Sequence, residues 1–562
     1  MRYHILASDY DGTIAHHETV SDETVEKLKE LKTSGRKIAL VTGREMPDLE
    51  RVFPAFKVFD YIVAENGALI YNTTTGTEEL LGPAPDAAFV DELKKRGVGP
   101  ISVGKVIVAT WEPHQNTVLD VIKEFGYERQ IIFNKGAVMI LPPGINKASG
   151  LQALLEKLCL SEHNSVAVGD AENDSAMFKV AECAVAVENA LPSLKETVDL
   201  VTKSDHGKGV CELIDALIKD DLANLSLKLT RHFLRLGTLK NGEPFLLNPY
   251  RSGILLSGVS GGGKSTFTVA VTEALIKSNY QFCLIDPEGD YVELPGAIVI
   301  GNGKALPTMD EIAALLNNPK QSLVISLLSV EMNDRPAFFE KMLEVVINLR
   351  KSLGHPHWLL IDEAHHLIPS GANSILFNAL NNFMLISYSP DAMCSDILEQ
   401  VGMVITIGDE AAYPIEQFCK IKKISAPKKT PKLKQGEACI YDLEEDKTVP
   451  YVIKINEPRQ LQQRHKRKYA TGDMGDNSFT FTGKARKLKL KANNLIMFVH
   501  IAEGIDDATW KFHLSNGDFI NWFRNTVHDD ELADIAQQTE KEKSAEESKK
   551  KILAFINEKY TV

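Results

Sequence analysis

Ile5-Leu6-Ala7-Ser8-Asp9-Tyr10-Asp11-Gly12-Thr13 decides how the first third of this chain reads. A short apolar run ends in two carboxylates two residues apart. At a strand's carboxyl end both can point into the crevice where α/β sheets place ligands. Gly12 permits a tight turn, and Thr13 can donate a hydrogen bond. Such a pair suits one carboxylate as nucleophile and the other as acid/base. Three later segments add to it. Val41-Thr42-Gly43-Arg44 ends a strand run with a hydroxyl. Gly144-Ile145-Asn146-Lys147 offers a lysine. Gly169-Asp170-Ala171-Glu172-Asn173-Asp174 ends another strand with carboxylates suited to a hard cation such as Mg2+.

Around these motifs, residues 1–215 alternate β-branched runs with helical patterns, the signature of a parallel sheet, with an insertion at about 85–141. The 562-residue length suggests three or four domains at about 150 residues each. No run of 18 apolar residues occurs, so no membrane span is expected. The first strand begins where a signal peptide would lie. The seven cysteines are scattered without CxxC pairing, which predicts a reducing, cytoplasmic setting rather than a disulfide framework. A net charge of −13 argues against the whole chain being a nucleic-acid binder.

Taken in order, the four motifs resemble the haloacid dehalogenase (HAD) superfamily, type IIB, the Cof-like and sugar-phosphate phosphatase branch. The likeness covers residues 1–215 and includes Ala64-Glu65-Asn66-Gly67-Ala68, Asn146–Leu151 and Val185–Ala190. It implies a Rossmann-like α/β core and a small α/β cap at about 85–141, short for this branch. It also implies roles. Asp9 attacks phosphorus, and Asp11 protonates the leaving group and then activates water. Thr42, Gly43 and Lys147 hold the phosphoryl group. Asp170 ligates Mg2+ with Asp9 and the Asp11 carbonyl. Asp174 joins the metal cluster and supports the lysine, and Asn173 supports the phosphate. Transferase or mutase chemistry stays open.

A second motif, Gly258-Val-Ser-Gly-Gly-Gly263-Lys264-Ser265, lies between a strand run, Ile254–Ser257, and a helix pattern, Thr266–Lys277. This is the context a phosphate-binding P-loop requires. Backbone N–H groups of Gly258, Gly261, Gly262, Gly263 and Thr266 would cradle the phosphates of ATP. Lys264 would reach the β/γ-phosphates, and Ser265 would hold Mg2+. Trp358–Ile361 leads into Asp362 and Glu363, placed to hold Mg2+ and to activate water respectively. Together with Ile285–Tyr291, Gly301-Asn-Gly303 and Phe383–Pro390, these segments resemble the HerA/FtsK division of hexameric motor ATPases over 229–458. That likeness implies a RecA-like domain in a six-membered ring, with an arginine supplied by the neighbour, for which Arg335 and Arg350 are candidates. Ser387 or Tyr388 stands where such enzymes more commonly carry glutamine.

Residues 216–228 read as a helical connector and 459–562 as a small, mainly helical C-terminal domain. Lysines crowd 420–434, either as a solvated loop or as a contact for DNA. The tail carries Arg464-His-Lys-Arg-Lys468, a solvated helix pattern over Thr539–Lys551, and Trp510, Phe512, Phe519, Trp522 and Phe523, which read as core. Three functions follow. One is a Mg2+-dependent phosphatase fused to a ring-forming ATPase, acting on a phosphorylated small molecule or nucleic-acid end. Another is a polynucleotide kinase–phosphatase. A third is a phosphatase gated by ATP-driven homo-oligomerisation.

Overall fold

In the chain's first unit, Met1–Asn456, parallel strands buried on both faces build two sheets. The structure is a computed structural model. It describes residues 1–560 except 260–261, 373–374, 389, 409–410, 445–446, 457, 459–473, 475–477, 484–487, 528 and 541–543. Gly261 and the basic run Arg464–Lys468 lie outside the described residues.

The first twelve strands are β1 (Ile5–Ser8), β2 (Lys37–Val41), β3 (Tyr61–Ala64), β4 (Leu69–Asn72), β5 (Glu78–Leu80), β6 (Ser102–Val103), β7 (Val108–Trp111), β8 (Gln130–Asn134), β9 (Ala137–Leu141), β10 (Ser165–Gly169), β11 (Cys183–Ala186) and β12 (Leu200–Val201). Eight form a sheet ordered β12-β11-β10-β1-β2-β3-β4-β5, parallel as far as β3. All of β1 and β10 is buried, as expected of parallel strands covered on both faces. The ends of β1, β2 and β10 therefore open at one edge of the sheet and carry Asp9, Thr42 and Asp170. β6-β7-β9-β8 form a separate antiparallel sheet between β5 and the helix Lys147–Lys157. The helices Ala87–Lys95 and Gln115–Phe125 pack on it. This inserted layer is the cap. Met139, Leu141, Val106 and Ile107 seat it against Ala68 of the core.

Eleven further strands follow. They are β13 (Leu234–Leu239), β14 (Pro244–Leu247), β15 (Gly253–Gly258), β16 (Phe282–Asp286), β17 (Ala297–Ile300), β18 (Ser322–Ser326), β19 (Trp358–Ile361), β20 (Phe383–Ser387), β21 (Val401–Ile407), β22 (Glu437–Asp442) and β23 (Lys447–Ile455). Their order is β14-β13-β23-β22-β21-β15-β20-β19-β16-β18-β17. The seven strands from β21 to β17 are parallel, and β22, β23, β13 and β14 add an antiparallel wing. Two apolar clusters cover the two faces of this sheet.

The supposed connector does not stand apart from its neighbours. The helix His206–Asp220 begins before it, and Leu217, Leu222 and Leu229 bury in the first sheet's core. The two sheets also meet along a polar and aromatic seam. His163 stacks on Tyr280 with centroids 3.6 Å apart, and its Nε2 lies 2.7 Å from Ser278 O. Arg2 pairs with Glu182 at 2.6 Å and lies over the Tyr250 ring. His355 Nε2 reaches Cys159 O at 2.9 Å.

The second unit, Glu457–Val562, holds the strand pair β24 (Phe479–Phe481) and β25 (Leu490–Ala492) beside the helices Leu495–Gly504, Asp507–Ser515, Asp518–Asn525, Asp530–Thr539 and Ala545–Tyr560. Trp510, Phe519, Trp522 and Phe523 are buried together, while Phe512 is half-buried. Thr539–Lys551 is not a single solvated helix. One helix ends at Thr539, and Ala545–Tyr560 buries Ala545, Ser548, Ile552, Leu553, Ile556 and Tyr560. The Glu/Lys run hid an apolar stripe that continues past it.

Candidate active site

The helix Lys147–Lys157 begins at a capping box, in which the Asn146 side chain accepts the Ala148 and Ser149 N–H groups and Ser149 Oγ accepts the Asn146 N–H. Such caps stabilise a helix start by about 1 kcal/mol. This one fixes Lys147 at the first helical position. Gly150 lets that helix approach the Asn66-Gly67 turn, because a Cβ there would stand 2.6 Å from Gly67 Cα.

Lys147 thereby reaches the strand ends. Its Nζ lies 2.5 Å from Asp9 Oδ1 and 2.7 Å from Asp174 Oδ1, with all three side chains buried. Asp174 Oδ2 accepts the N–H groups of Asp170 and Ala171 at 2.9 and 3.0 Å. Both Asp174 oxygens are thus engaged within the protein. The Thr13 hydroxyl bridges Asp9 Oδ2 and Asp170 Oδ1 at 3.3 and 3.1 Å. Asn189 donates to Gly12 O at 2.7 Å and holds this turn. Gly12 has φ +89°, and a Cβ there would meet Asp170 Oδ2 at 2.4 Å.

Asp11 is held by a different partner from Asp9. Arg44 grips both its carboxylate oxygens, at 2.8 and 2.7 Å, and also holds Asp48 and Glu18. The Asp11 side chain keeps 39% exposure. Buried Thr42 accepts the Arg44 N–H at 3.1 Å. Asn173 Nδ2 donates to Asn66 Oδ1 at 3.3 Å, leaving Asn66 Nδ2 buried without a partner. Gly43 lies under cap residue Met139, whose Cε would be 3.3 Å from an added Cβ.

Three site features carried no local sequence signal. Lys135 sits at the tip of the β8–β9 hairpin with φ 48°. Its Nζ reaches across from the cap to Asp170 Oδ2 at 2.8 Å and Asp11 O at 3.1 Å. Glu65 is buried and accepts the N–H groups of Lys105, Val106 and Ile107, tying the cap's entry loop to the core. Arg44's fork on Asp11 is the third. Each contact joins residues more than thirty positions apart.

Burial and the Asp174 and Asp170 charges push Asp9 up to about 8, against the pull of Lys147. A stand-in cation, the Lys135 ammonium, already sits on two oxygens of the cluster. Asp9, Asp170 and the Asp11 carbonyl offer the all-oxygen donor set that a hard divalent ion takes. The residues present therefore fit Mg2+. Because folded Asp9 holds its proton to about 8 against an ordinary 3.8, its stabilising contribution is complete below 3.8 and lost as pH rises through about 8. Added Mg2+ favours the ionised form, so its gain in Tm is larger near about pH 9 than near about pH 6. Equal gains in thermal scans at both pH values would contradict this.

A family profile described as haloacid dehalogenase-like hydrolase matches residues 6–103 and 102–214. A phosphoglycolate phosphatase 2 from Saccharolobus solfataricus is 32% identical over 225 residues, 38% of this chain and 92% of that protein. The chain belongs to the haloacid dehalogenase-like hydrolases. A phosphoglycolate phosphatase from Methanothermobacter thermautotrophicus matches this HAD hydrolase at 29% identity over 218 residues, 37% of this chain and 96% of its own.

In the hydrolase's second sheet, β15 leads to Gly258, and Gly263 at φ +104° starts the helix Lys264–Lys277. Gly262 N–H donates to Val259 O at 3.1 Å. Lys264 Nζ folds back on Gly258 O and Val259 O at 2.9 and 3.3 Å. Ser265 Oγ lies 3.5 Å from Asp290 Oδ2, and Thr266 follows it on the helix. Asp362 and Glu363 leave the end of β19, one strand beyond β20. Burial and the charges of Glu363 and Asp286 push Asp362 up to about 8. Glu363 has φ 42°, with its carboxylate 3.4 Å from His365 Nδ1, and Ser387 Oγ is 3.2 Å from the same nitrogen.

Arg350 does not offer a free guanidinium to a neighbouring subunit. It donates to the carbonyls of Pro356, His357, Asn381 and Asn382. Arg335 donates to Val330 O and Pro287 O. In the 420–434 stretch, Lys422 turns inward to Val401 O at 2.8 Å, while Lys420, Lys423, Lys428, Lys429, Lys432 and Lys434 are exposed.

No described helix is long and apolar enough to cross a membrane.

Proposed function

We propose that this HAD phosphatase releases phosphate from a small phosphorylated carboxylic acid through an aspartyl-phosphate on Asp9. The observation that carries the reading is the buried Asp9–Lys147–Asp174 contact beside Asp170, built from three separate segments. An Asp9 carboxylate oxygen bonds to phosphorus while the bond to the substrate's bridging oxygen breaks. Asp11, swung off the Arg44 fork, gives its proton to that leaving oxygen. It then takes a proton from a water whose oxygen attacks the Asp9-bound phosphorus, freeing phosphate and restoring Asp9. Lys147, Thr42 and the unspent Asn66 amide face the phosphoryl oxygens and offset their charge. Asp9, Asp170 and the Asp11 carbonyl would hold Mg2+, which would supply the further positive charge that lets carboxylate and phosphate meet. The names of the two relatives support a carboxylic acid such as phosphoglycolate as substrate.

We also infer that the loop ending at Lys264 binds ATP. The GxxxxGK[ST] pattern, the helix that follows it and the acidic pair beyond β20 support this. One preparation tests both statements. Phosphate release from phosphoglycolate, sugar phosphates and nucleotides is measured with Mg2+, alongside ATP binding by calorimetry. Phosphoglycolate is expected to be the best substrate, and Lys264→Ala is expected to remove ATP binding without changing phosphate release. No release from any phosphoester removes the phosphatase reading, and ATP binding that survives Lys264→Ala removes the second.

A further inference from the structure

Lys135 is the charged group that the cap lowers into the acid cluster. It stands on the turn Asn134-Lys135-Gly136, where positive φ at Lys135 and Gly136 turns the hairpin tip toward the core. Among the described residues its ammonium is held by Asp170 Oδ2 and Asp11 O, at 2.8 and 3.1 Å, and the side chain keeps 49% exposure. It is therefore tethered by two oxygens at its tip, with half of its surface in solvent. Those same oxygens belong to the donor set that fits a divalent cation, and the two positive charges cannot share them. Beside it the cap presents Met139 over Gly43, an apolar surface. A cation next to an apolar wall suits a short substrate that carries a second anion.

We propose that Lys135 is the residue by which the cap selects a phosphorylated carboxylic acid: a divalent cation displaces its ammonium from Asp170 and the Asp11 carbonyl, and the ammonium then binds the substrate's carboxylate. This rests on the phosphatase reading above. In the free protein Lys135 competes with the metal and holds the cap down. In the loaded protein it discriminates between substrates.

Two measurements test it on the full chain. The first compares Lys135→Met and Lys135→Arg with the unaltered protein, using phosphoglycolate and ethyl phosphate, which lacks the carboxylate. Lys135→Met is expected to raise KM for phosphoglycolate about 10- to 100-fold while hardly changing ethyl phosphate, and Lys135→Arg to recover part of the loss. The second follows Mn2+ binding by electron paramagnetic resonance without substrate. Lys135→Met is expected to bind Mn2+ several-fold more tightly. Equal losses on both substrates, or no loss on either, overturn the carboxylate role while the phosphatase reading stands. Unchanged Mn2+ affinity overturns the displacement. An unaltered protein that hydrolyses neither ester fails the phosphatase reading first, and this inference falls with it.

Discussion

Asp9→Asn lowers phosphate release by about 10^4-fold or more while the protein stays folded. The loss is that large because the amide cannot form the acyl-phosphate bond on which both half-reactions depend. Stability moves the other way. Burial and the Asp174 and Asp170 charges already disfavour the Asp9 carboxylate, which is why its pKa stands near about 8. An amide of the same shape removes one charge from a crowded acidic cluster and still accepts from Lys147 Nζ. Above about pH 8, where Asp9 would ionise, Asp9→Asn is therefore expected to melt at or above the Tm of the unaltered protein. A variant that loses activity by unfolding would show the opposite melting shift, so thermal scans and phosphate release together separate the two causes. The ATP binding proposed for Lys264 is expected to be unchanged.

Lys147→Met has a smaller but still large effect on turnover and the reverse effect on stability. The lysine is buried, and its ammonium is the shared partner of Asp9 and Asp174. Removing it takes away a cation facing the phosphoryl oxygens, a loss of about 10^3-fold in kcat. It also leaves the Asp174 carboxylate and Asp9 facing each other in a dry pocket without their shared cation, a destabilisation of about 3 kcal/mol from breaking a buried pair. Chemical denaturation should show that fall. If stability stayed the same, Lys147 would not be the charge that holds the cluster together. Paired with Asp9→Asn, the substitution distinguishes a nucleophile from the group that stabilises its surroundings.

Motif spacing located much of this site. Asp9, Thr42, Lys147, Asp170 and Asp174 each end or begin a regular element, so an apolar run followed by a polar residue marks them in the chain. Their convergence follows from the parallel order β10-β1-β2, which brings three strand ends to one edge. The residues that complete the site had no such mark. Lys135 reads as one lysine in a turn, and only the fold of the cap brings it onto Asp170. Arg44 was visible beside Thr42, but its fork on Asp11 depends on the distance between two loops. Glu65 sits beside an Asn-Gly turn, and its three backbone partners lie forty residues downstream.

The second sheet repeats the lesson. The parallel strand runs near Gly253, Gln281, Ser322, His357, Phe383 and Met403 are continuous apolar stretches, and buried strands must be apolar. The wing β22, β23, β13 and β14 draws its partners from both ends of the domain, so local pattern did not find it. Nor did composition foresee that the residues before β10 and β11 would pack on Ser278, Tyr280 and the loop before β19.

The sequence by itself determined most of the buried parallel strands, the acidic strand ends and the glycine-lysine loop, because local propensity and burial leave their period in the chain. Tertiary structure decided which charges face one another, which arginine is already spent and which lysine the cap delivers. Electrostatic contact depends on a few ångströms between distant segments, and that distance has no period to read.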